Sequence, residues 1–192
     1  MRSPRKCFVL LLALAAGSLA SAKEKAHEET LLLDTHRVTI TVPEGFVFSS
    51  GRDDQGSLMA KVADIREKID LQVRFQLDPD SHLGTEAQQM DFLANICRQY
   101  VETSVEKGYE FKALTPREGS GTYCSFTDAT LINRLPVPPG EFLHVTTGVK
   151  VLRGWLLVFT VLSNDTASTE FQTALKLVRE SFAEAPPPAK KT

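Results

Sequence analysis

A single well-capped helix between two runs of strands is the feature that most constrains the fold of this chain. Residues 85–108 read TEAQQMDFLANICRQYVETSVEKG, where Thr85 can cap the first turn and Gln88 can complete a capping box. Gly108 suits the left-handed conformation that often ends a helix. At 100° per residue, one side of the helix is mostly apolar, and Cys97 lies near its centre. We therefore expect Cys97 to point inward. The members of that side are Ala87, Met90, Leu93, Ala94, Cys97, Tyr100, Val101, Ser104 and Val105. The residues left to face water are Glu86, Gln89, Asp91, Arg98, Glu102 and Lys107.

Alternation of apolar and polar residues predicts strands on both sides of this helix. The clearest case is residues 69–77, IDLQVRFQL, in which every second side chain is apolar. Residues 155–162, WLLVFTVL, are apolar on both faces and predict a central strand. The other predicted strands cover residues 31–33, 36–42, 46–48 and 58–65 before the helix, and 109–114, 122–132 and 142–152 after it.

A second amphipathic helix is predicted after Asn164 and Asp165, either of which can cap it. Strands joined by tight turns imply an antiparallel sheet. Two amphipathic helices that cover such a sheet predict an α+β fold, arranged as an α/β/α sandwich.

The N-terminus has the composition of an export signal. Arg2, Arg5 and Lys6 precede a short apolar run, and residues 20–22 (Ala-Ser-Ala) fit a cleavage site. The run is shorter than the ~18–20 residues that a membrane-spanning helix needs. We predict a signal peptide over residues 1–22, a flexible segment over 23–30, one domain over 31–184 and a Pro-rich tail over 185–192. The protein is then exported, either to the periplasm or out of the cell, with no integral membrane segment after cleavage.

The charge balance argues against a nucleic-acid partner. The chain has 22 Lys and Arg against 24 Asp and Glu. Three of the basic residues belong to the predicted signal, which leaves 19 against 24 and a net charge of −5. Binding to the phosphate backbone needs a basic stripe, and the sequence has none.

Cys97 and Cys124 are the two cysteines that remain after removal of the signal. An even count in an exported chain predicts a disulfide bond between them. That bond would close a loop of about 27 residues and stabilise the fold by roughly 3–4 kcal/mol in the chain-entropy description. The alternative is two separate buried thiols. No CxxC spacing indicates a thioredoxin-like redox role.

Sequence signatures of catalysis are missing. There is no G-x-S-x-G motif, and Ser120 lies between two glycines in a predicted turn. Asp78, Asp80 and His82 alternate in LDPDSH and could gather on a cation. However, Asp-Pro-Asp-Ser is also ordinary turn chemistry before a helix. We therefore predict no catalytic residues and no cofactor, and we keep these three residues as candidate metal ligands.

The order of elements resembles a known superfamily. Residues 38–48, VTITVPEGFVF, form a strand, a Pro-x-Gly turn and an aromatic entry into the next strand. With the hairpin, long helix, four strands and closing helix that follow, residues 31–182 resemble the PsbP-like superfamily. That superfamily includes the extrinsic PsbP subunit of photosystems, the nuclear Ran-binding Mog proteins and exported bacterial proteins, the last of which this chain is most similar to. The resemblance implies an antiparallel sheet flanked by helices and a role in binding other proteins, but it assigns no functional residue.

We therefore expect an exported, non-catalytic protein that binds another protein or an envelope component. One alternative is a carrier of a small molecule or lipid, which would need an enclosed apolar cavity between the sheet and a helix. A second alternative is a metal-dependent hydrolase built on Asp78, Asp80 and His82, which would need convergent polar side chains in a cleft. A partner surface would instead show as an exposed apolar patch.

Overall fold

A computed structural model describes residues 25–33, 36–66, 68–78, 82–134, 136–152 and 154–184. The predicted signal peptide and the Pro-rich tail lie outside these ranges. The described residues form two helices, α1 (Glu86–Val101) and α2 (Thr169–Glu180). The strands are β1 (His27–Leu33), β2 (His36–Val42), β3 (Phe46–Arg52), β4 (Leu58–Asp64), β5 (Ile69–Leu77), β6 (Lys112–Ala113), β7 (Ser120–Thr127), β8 (His144–Leu152), β9 (Trp155–Ser163) and β10 (Ala183–Glu184).

The strands form two antiparallel sheets. The smaller sheet has the order β1-β2-β10, and the larger has the order β3-β4-β5-β9-β8-β7-β6. β9 pairs along its whole length with β5 on one side and β8 on the other, which confirms that residues 155–162 lie in a central strand. The predicted α+β fold, with antiparallel sheets and two helices, is therefore observed. β10 was not predicted, and it extends the smaller sheet by pairing with β2.

The two helices lie on opposite faces of the larger sheet. Cys124 of β7 packs with Cys97 of α1 and lies opposite Thr147 of β8, so both strand residues point toward α1. Side chains alternate between the two faces along a strand, so Lys150, which follows Thr147 in β8 by an odd number of residues, points away from α1. Its ammonium donates to the carbonyls of Val178 and Phe182 at the end of α2. We call these two sides of the sheet the α1 face and the α2 face.

The α2 face carries the main hydrophobic core. Alternate residues of β5 and β9 meet there against Phe171 and Val178 of α2. The smaller sheet covers the same face and buries Val38, Ile40 and Val42 of β2 in that core. The layer on this side therefore contains a second sheet beside α2, a component that the predicted sandwich did not include.

The α1 face is covered over a smaller area. α1 packs on β7 and β8, where Leu93 and Phe126 surround the two cysteines. A second small cluster joins Leu156 of β9 with Val149 and Val151 of β8. Further along this face, β4 and β5 present side chains that are polar or charged and are mostly half-exposed. These are Lys61, Gln72, Arg74 and Gln76.

Gly148 is required by the packing between β8 and β9. A Cβ atom at this position would meet the ring of Phe159 and would lie 2.6 Å from the carbonyl oxygen of Thr122. Phe159 is fully buried and lies directly opposite Gly148 in register. The glycine therefore makes room for the largest side chain of the central strand in this part of the core.

The N-terminus of α1 is confirmed, but its predicted end is wrong. The Thr85 hydroxyl accepts from the Gln88 N–H at 3.3 Å, and the Gln88 side chain accepts from the Thr85 N–H at 3.0 Å. The helix ends at Val101, well before Gly108, because Ser104 leaves the helical path and forms a β-bridge with Asp128. Tertiary pairing thus overrides a stop signal read from sequence.

Other element boundaries also differ from the predictions. β1 begins at His27, so it takes in residues that were assigned to the flexible segment 23–30. α2 begins after Ser168, whose hydroxyl accepts from the Phe171 N–H at 3.2 Å, instead of after Asn164 or Asp165. Asp165 caps the preceding turn by accepting from the Ala167 N–H. Ser120 lies in β7 and not in a turn.

Candidate functional site

The loop between β5 and α1 contains the predicted metal ligands, but its one fully described carboxylate is occupied by hydrogen bonds. Asp78 accepts from the His82 N–H at 3.0 Å, from the His82 ring at 2.8 Å and from the Leu83 N–H at 3.4 Å. Burial alone would raise the pKa of Asp78, but these hydrogen bonds outweigh it and lower the pKa. Asp78 and His82 are thus brought together, whereas Asp80 lies outside the described residues. The contacts have the pattern of turn chemistry, which was the alternative to a metal site.

Two other aspartates organise loops in the same way. Asp53 accepts from the Gln55 and Ser57 N–H groups, each at 2.9 Å, in the turn between β3 and β4. Asp64 accepts from the Ile69 N–H at 3.0 Å at the start of β5. Within the described ranges, no group of three or more His, Cys, Asp and Glu side chains is placed to hold a metal ion.

Ser120 and His144 are not arranged as a nucleophile and its base. The Ser120 hydroxyl accepts from the Gln89 amide of α1 at 2.6 Å. The ring of His144 lies 3.2 Å from the Thr127 hydroxyl, and burial lowers the pKa of His144. Each residue therefore links neighbouring elements, and the pair lies at opposite ends of the β7–β8 hairpin.

An open cleft of about 320 Å³ lies where the β3–β4 turn meets the ends of β1 and β5. Its floor is apolar. Phe75 is 2 % exposed and Leu33 is 7 % exposed. Leu77 is 50 % exposed although it ends the most regular strand of the chain. The full lining is Leu33, Arg52, Gln55, Gly56, Ser57, Leu58, Phe75, Gln76 and Leu77.

The walls of the cleft are held rigidly on one side. Asp53 fixes the backbone of the turn through two N–H groups, and its second oxygen pairs with Arg74 at 2.9 Å. Arg74 also donates to the side-chain amide oxygen of Gln55 and to the Ser57 hydroxyl. A turn held by one carboxylate and one guanidinium keeps its shape before any ligand arrives, which lowers the entropic cost of binding.

Arg52 supplies the positive charge of the cleft. The Nη1 atom of Arg52 donates to the Gly56 carbonyl at 2.6 Å. Among the described residues, no carboxylate forms an ion pair with this guanidinium, and Arg52 is exposed. An exposed guanidinium can donate two parallel hydrogen bonds to a carboxylate or phosphate. The cleft therefore joins an apolar floor to a cation that no described carboxylate neutralises.

The sequence did not indicate this cleft. Its residues come from three segments that are distant in the chain. Leu77 carried a weak signal, because its apolar side chain immediately precedes an Asp-Pro pair. The alternation rule predicts burial for Leu77, whereas its side chain is half-exposed in the structure.

Comparisons with known proteins identify the fold. No protein-family model matches the sequence, and no curated protein matches it. The structure is similar to the solution structure of cyanobacterial PsbP (CyanoP) from Synechocystis sp. PCC 6803, with a TM-score of 0.52. The match covers 88% of this chain and 98% of that chain at 14% sequence identity. The described residues thus form an antiparallel α+β fold with two helices, and that fold is PsbP-like. At this identity the likeness shows the fold alone.

None of the described helices has both the length and the apolar character to cross a membrane.

Proposed function

We propose that this protein is exported, to the periplasm or beyond the cell, and that it acts without catalysis by binding another protein at the Arg52 cleft. The observation that carries the proposal is the combination of an apolar floor with an exposed guanidinium at the rim, with which no carboxylate of the described ranges forms an ion pair. Such a cleft suits a partner segment that inserts one apolar side chain and places a carboxylate beside Arg52. The smaller sheet and α2 together form one layer in this proposal, and α1 forms the other, so the fold is a variant of the α/β/α sandwich.

The character of the neighbouring surface supports a protein partner. Leu77, one of the lining residues, is 50 % exposed at the rim of the cleft. Aliphatic side chains exposed around a cleft are a common feature of partner surfaces. β3, which carries Arg52, is also the terminal strand of the larger sheet, so its outer backbone groups are available to a partner's strand.

The carrier of a small molecule or lipid is the second candidate. A cleft of about 320 Å³ lies at the lower end of small-molecule sites, which span roughly 300–1,000 Å³. An apolar acid could place its chain on Phe75 and its carboxylate at Arg52. The cleft is open to solvent and would leave part of such a chain in water, which favours a protein partner. The metal-dependent hydrolase receives no support, because Asp78 is occupied by the loop itself.

Capture experiments with matched variants test the proposal. The exported fraction is incubated with the immobilised wild-type chain and with Arg52→Glu, Leu77→Ser and Arg98→Glu. Arg98 is exposed on α1, far from the cleft lining, so it controls for a general change of charge. Truncating a side chain, or reversing its charge, at the centre of a binding interface reduces the binding free energy by more than about 1.4 kcal/mol, which is a tenfold loss of affinity.

We expect one captured protein to bind at least about tenfold more weakly to both cleft variants and normally to Arg98→Glu. A captured protein that binds all four chains alike would contradict the assignment of the cleft. Direct titration with a medium-chain fatty acid separates the carrier, since saturable binding that Arg52→Glu abolishes would favour the second candidate.

A further inference from the structure

The point where α1 meets the larger sheet contains two facing thiols. Cys97 lies near the C-terminal end of α1 and Cys124 in the middle of β7, and both are 0 % exposed. Both are free thiols in this structure, and both belong to one buried cluster between the helix and the sheet. Leu93, Phe126 and the half-buried Tyr100 enclose the pair, with the rings of Tyr100 and Phe126 5.2 Å apart.

The placement of the two cysteines favours a disulfide bond. A disulfide requires side chains that point toward each other from backbones that lie close together. Cys97 and Cys124 belong to elements that pack directly on one another, and their side chains lie in the same small buried cluster. The contact between α1 and β7 therefore brings the two thiols to the same place in the core.

We propose that Cys97 and Cys124 form an intramolecular disulfide bond that links α1 covalently to the larger sheet. The oxidant is a disulfide, either that of a thiol oxidoreductase or of a small molecule such as oxidised glutathione. The Cys124 thiolate attacks one oxidant sulfur, forming a mixed disulfide and releasing the other sulfur as a thiol. The Cys97 thiolate then attacks Cys124 Sγ and releases the second thiol. Two electrons and two protons pass from the protein to the oxidant, which ends as two thiols.

The burial of the pair determines when the bond can form. Because neither sulfur is accessible in the folded chain, the exchange takes place before α1 is fully packed. The completed bond is then shielded from reductants by the cluster that encloses it.

Differential alkylation of the exported protein tests the bond. The chain is unfolded in denaturant and alkylated with iodoacetamide, with or without prior reduction, and peptide mapping counts each cysteine separately so that Cys7 does not confuse the result. We expect Cys97 and Cys124 to be alkylated only after reduction, and the unreduced protein to give one linked peptide pair. Cys97→Ser and Cys124→Ser are controls, because each should leave the remaining cysteine alkylated in both samples.

Alkylation of both residues in the unreduced wild-type chain would overturn the proposal. A second measurement does not depend on the chemistry of alkylation. Reductant should lower the guanidinium midpoint of the wild-type protein and leave that of the Cys97→Ala/Cys124→Ala double variant unchanged. Equal midpoints for the wild type with and without reductant would also contradict the bond.

Discussion

The two faces of the seven-stranded sheet are stabilised in different ways. The α2 face buries one large apolar cluster that takes in residues from both sheets and from α2. The α1 face has two small clusters, one around the cysteines and one around Leu156. Because apolar burial contributes about 25 cal/mol per Å², most of the stabilisation of this protein arises on the α2 face. The α1 face depends more on a few specific contacts.

Each face also contains one buried polar side chain that fixes a helix. Gln89 of α1 is 1 % exposed and donates to the Leu83 carbonyl at 3.0 Å and to Ser120. Lys150 of β8 is 1 % exposed and donates to three carbonyls at the end of α2. The proposed disulfide lies on the face with the smaller apolar clusters, where a covalent link adds most to the attachment of its helix.

Truncation of Phe159 should have the largest effect and should test this comparison directly. Phe159 is fully buried on the α2 face, and Phe→Ala changes in a core cost about 3–5 kcal/mol. We expect a loss in that range for Phe159→Ala, measured by guanidinium denaturation. Leu93→Ala is the matched change on the α1 face and should fall near the lower end of the roughly 2–5 kcal/mol typical of Leu→Ala. A greater loss for Leu93→Ala would reverse the comparison.

The buried ammonium of Lys150 should make stability rise with pH in the alkaline range. Burial lowers the pKa of Lys150 from 10.5 to about 8, against a smaller opposing effect of Glu118. Between these two pKa values the unfolded chain binds more protons than the folded one, so the free energy of unfolding increases with pH. The gain approaches about 1.4 kcal/mol per pH unit at most.

Urea denaturation of the wild type at several pH values from 7 to 10.5, compared with Lys150→Met, checks this prediction. The difference in unfolding free energy between the two proteins should shift in favour of the wild type as the pH rises. A difference that stays constant over this range would mean that Lys150 titrates normally in the folded state. Methionine is unbranched like lysine but does not titrate, and a loss of packing would be the same at every pH, so it would not produce a difference that changes with pH.

The main elements could be predicted because their signals are local. The alternation in β5, the two-sided apolar run of β9 and the Thr85–Gln88 capping box each depend on neighbouring residues alone. Gly108 was a misleading signal, because the early end of α1 depends on the bridge between Ser104 and Asp128, which are distant in sequence. Gln89 was assigned to solvent for a similar reason, since its partner Ser120 comes from another strand.

The candidate site could not be predicted because its properties arise from how separate segments meet. Asp78 looked equally suitable as a metal ligand and as a turn residue until its hydrogen bonds were known. Arg52 looked like any charged residue in a polar turn, and its importance depends on the apolar floor that Leu33 and Phe75 bring beneath it. For the cysteines, the sequence was partly informative. The cysteine count predicted that Cys97 and Cys124 pair, and the contact between α1 and β7 places both in one buried cluster.

Replacement of Gln89 should show how far the α1 face depends on a polar contact. Gln89→Ala leaves the Leu83 carbonyl and the Ser120 hydroxyl without their donor. Because Ser120 is exposed, water can replace its lost donor, and we expect a loss of about 0.5–1.5 kcal/mol, the usual net contribution of a hydrogen bond, by guanidinium denaturation. Gln99→Ala is the control, because Gln99 is exposed on the same helix and should change stability by less than about 0.5 kcal/mol. Equal effects of the two variants would show that Gln89 does not anchor α1.

The helix caps should give the smallest effects and separate local from global stability. Thr85→Ala and Ser168→Ala each remove one hydroxyl acceptor at a first turn, and such changes typically cost about 1 kcal/mol. α2 packs within the large cluster, so Ser168→Ala should lower the stability of the whole fold. α1 rests on smaller clusters, so Thr85→Ala should mainly increase the local opening of its own first turns.

Amide hydrogen exchange distinguishes these two outcomes. We expect Thr85→Ala to accelerate exchange in α1 alone, while Ser168→Ala accelerates exchange of the slowest amides in the central strands β5 and β9. The α1 effect should be smaller when Cys97 and Cys124 are joined than after reduction, because a covalent link to β7 limits how far the helix can separate from the sheet. If both cap variants accelerated the central strands equally, the two faces would form one cooperative unit and the comparison between them would fail.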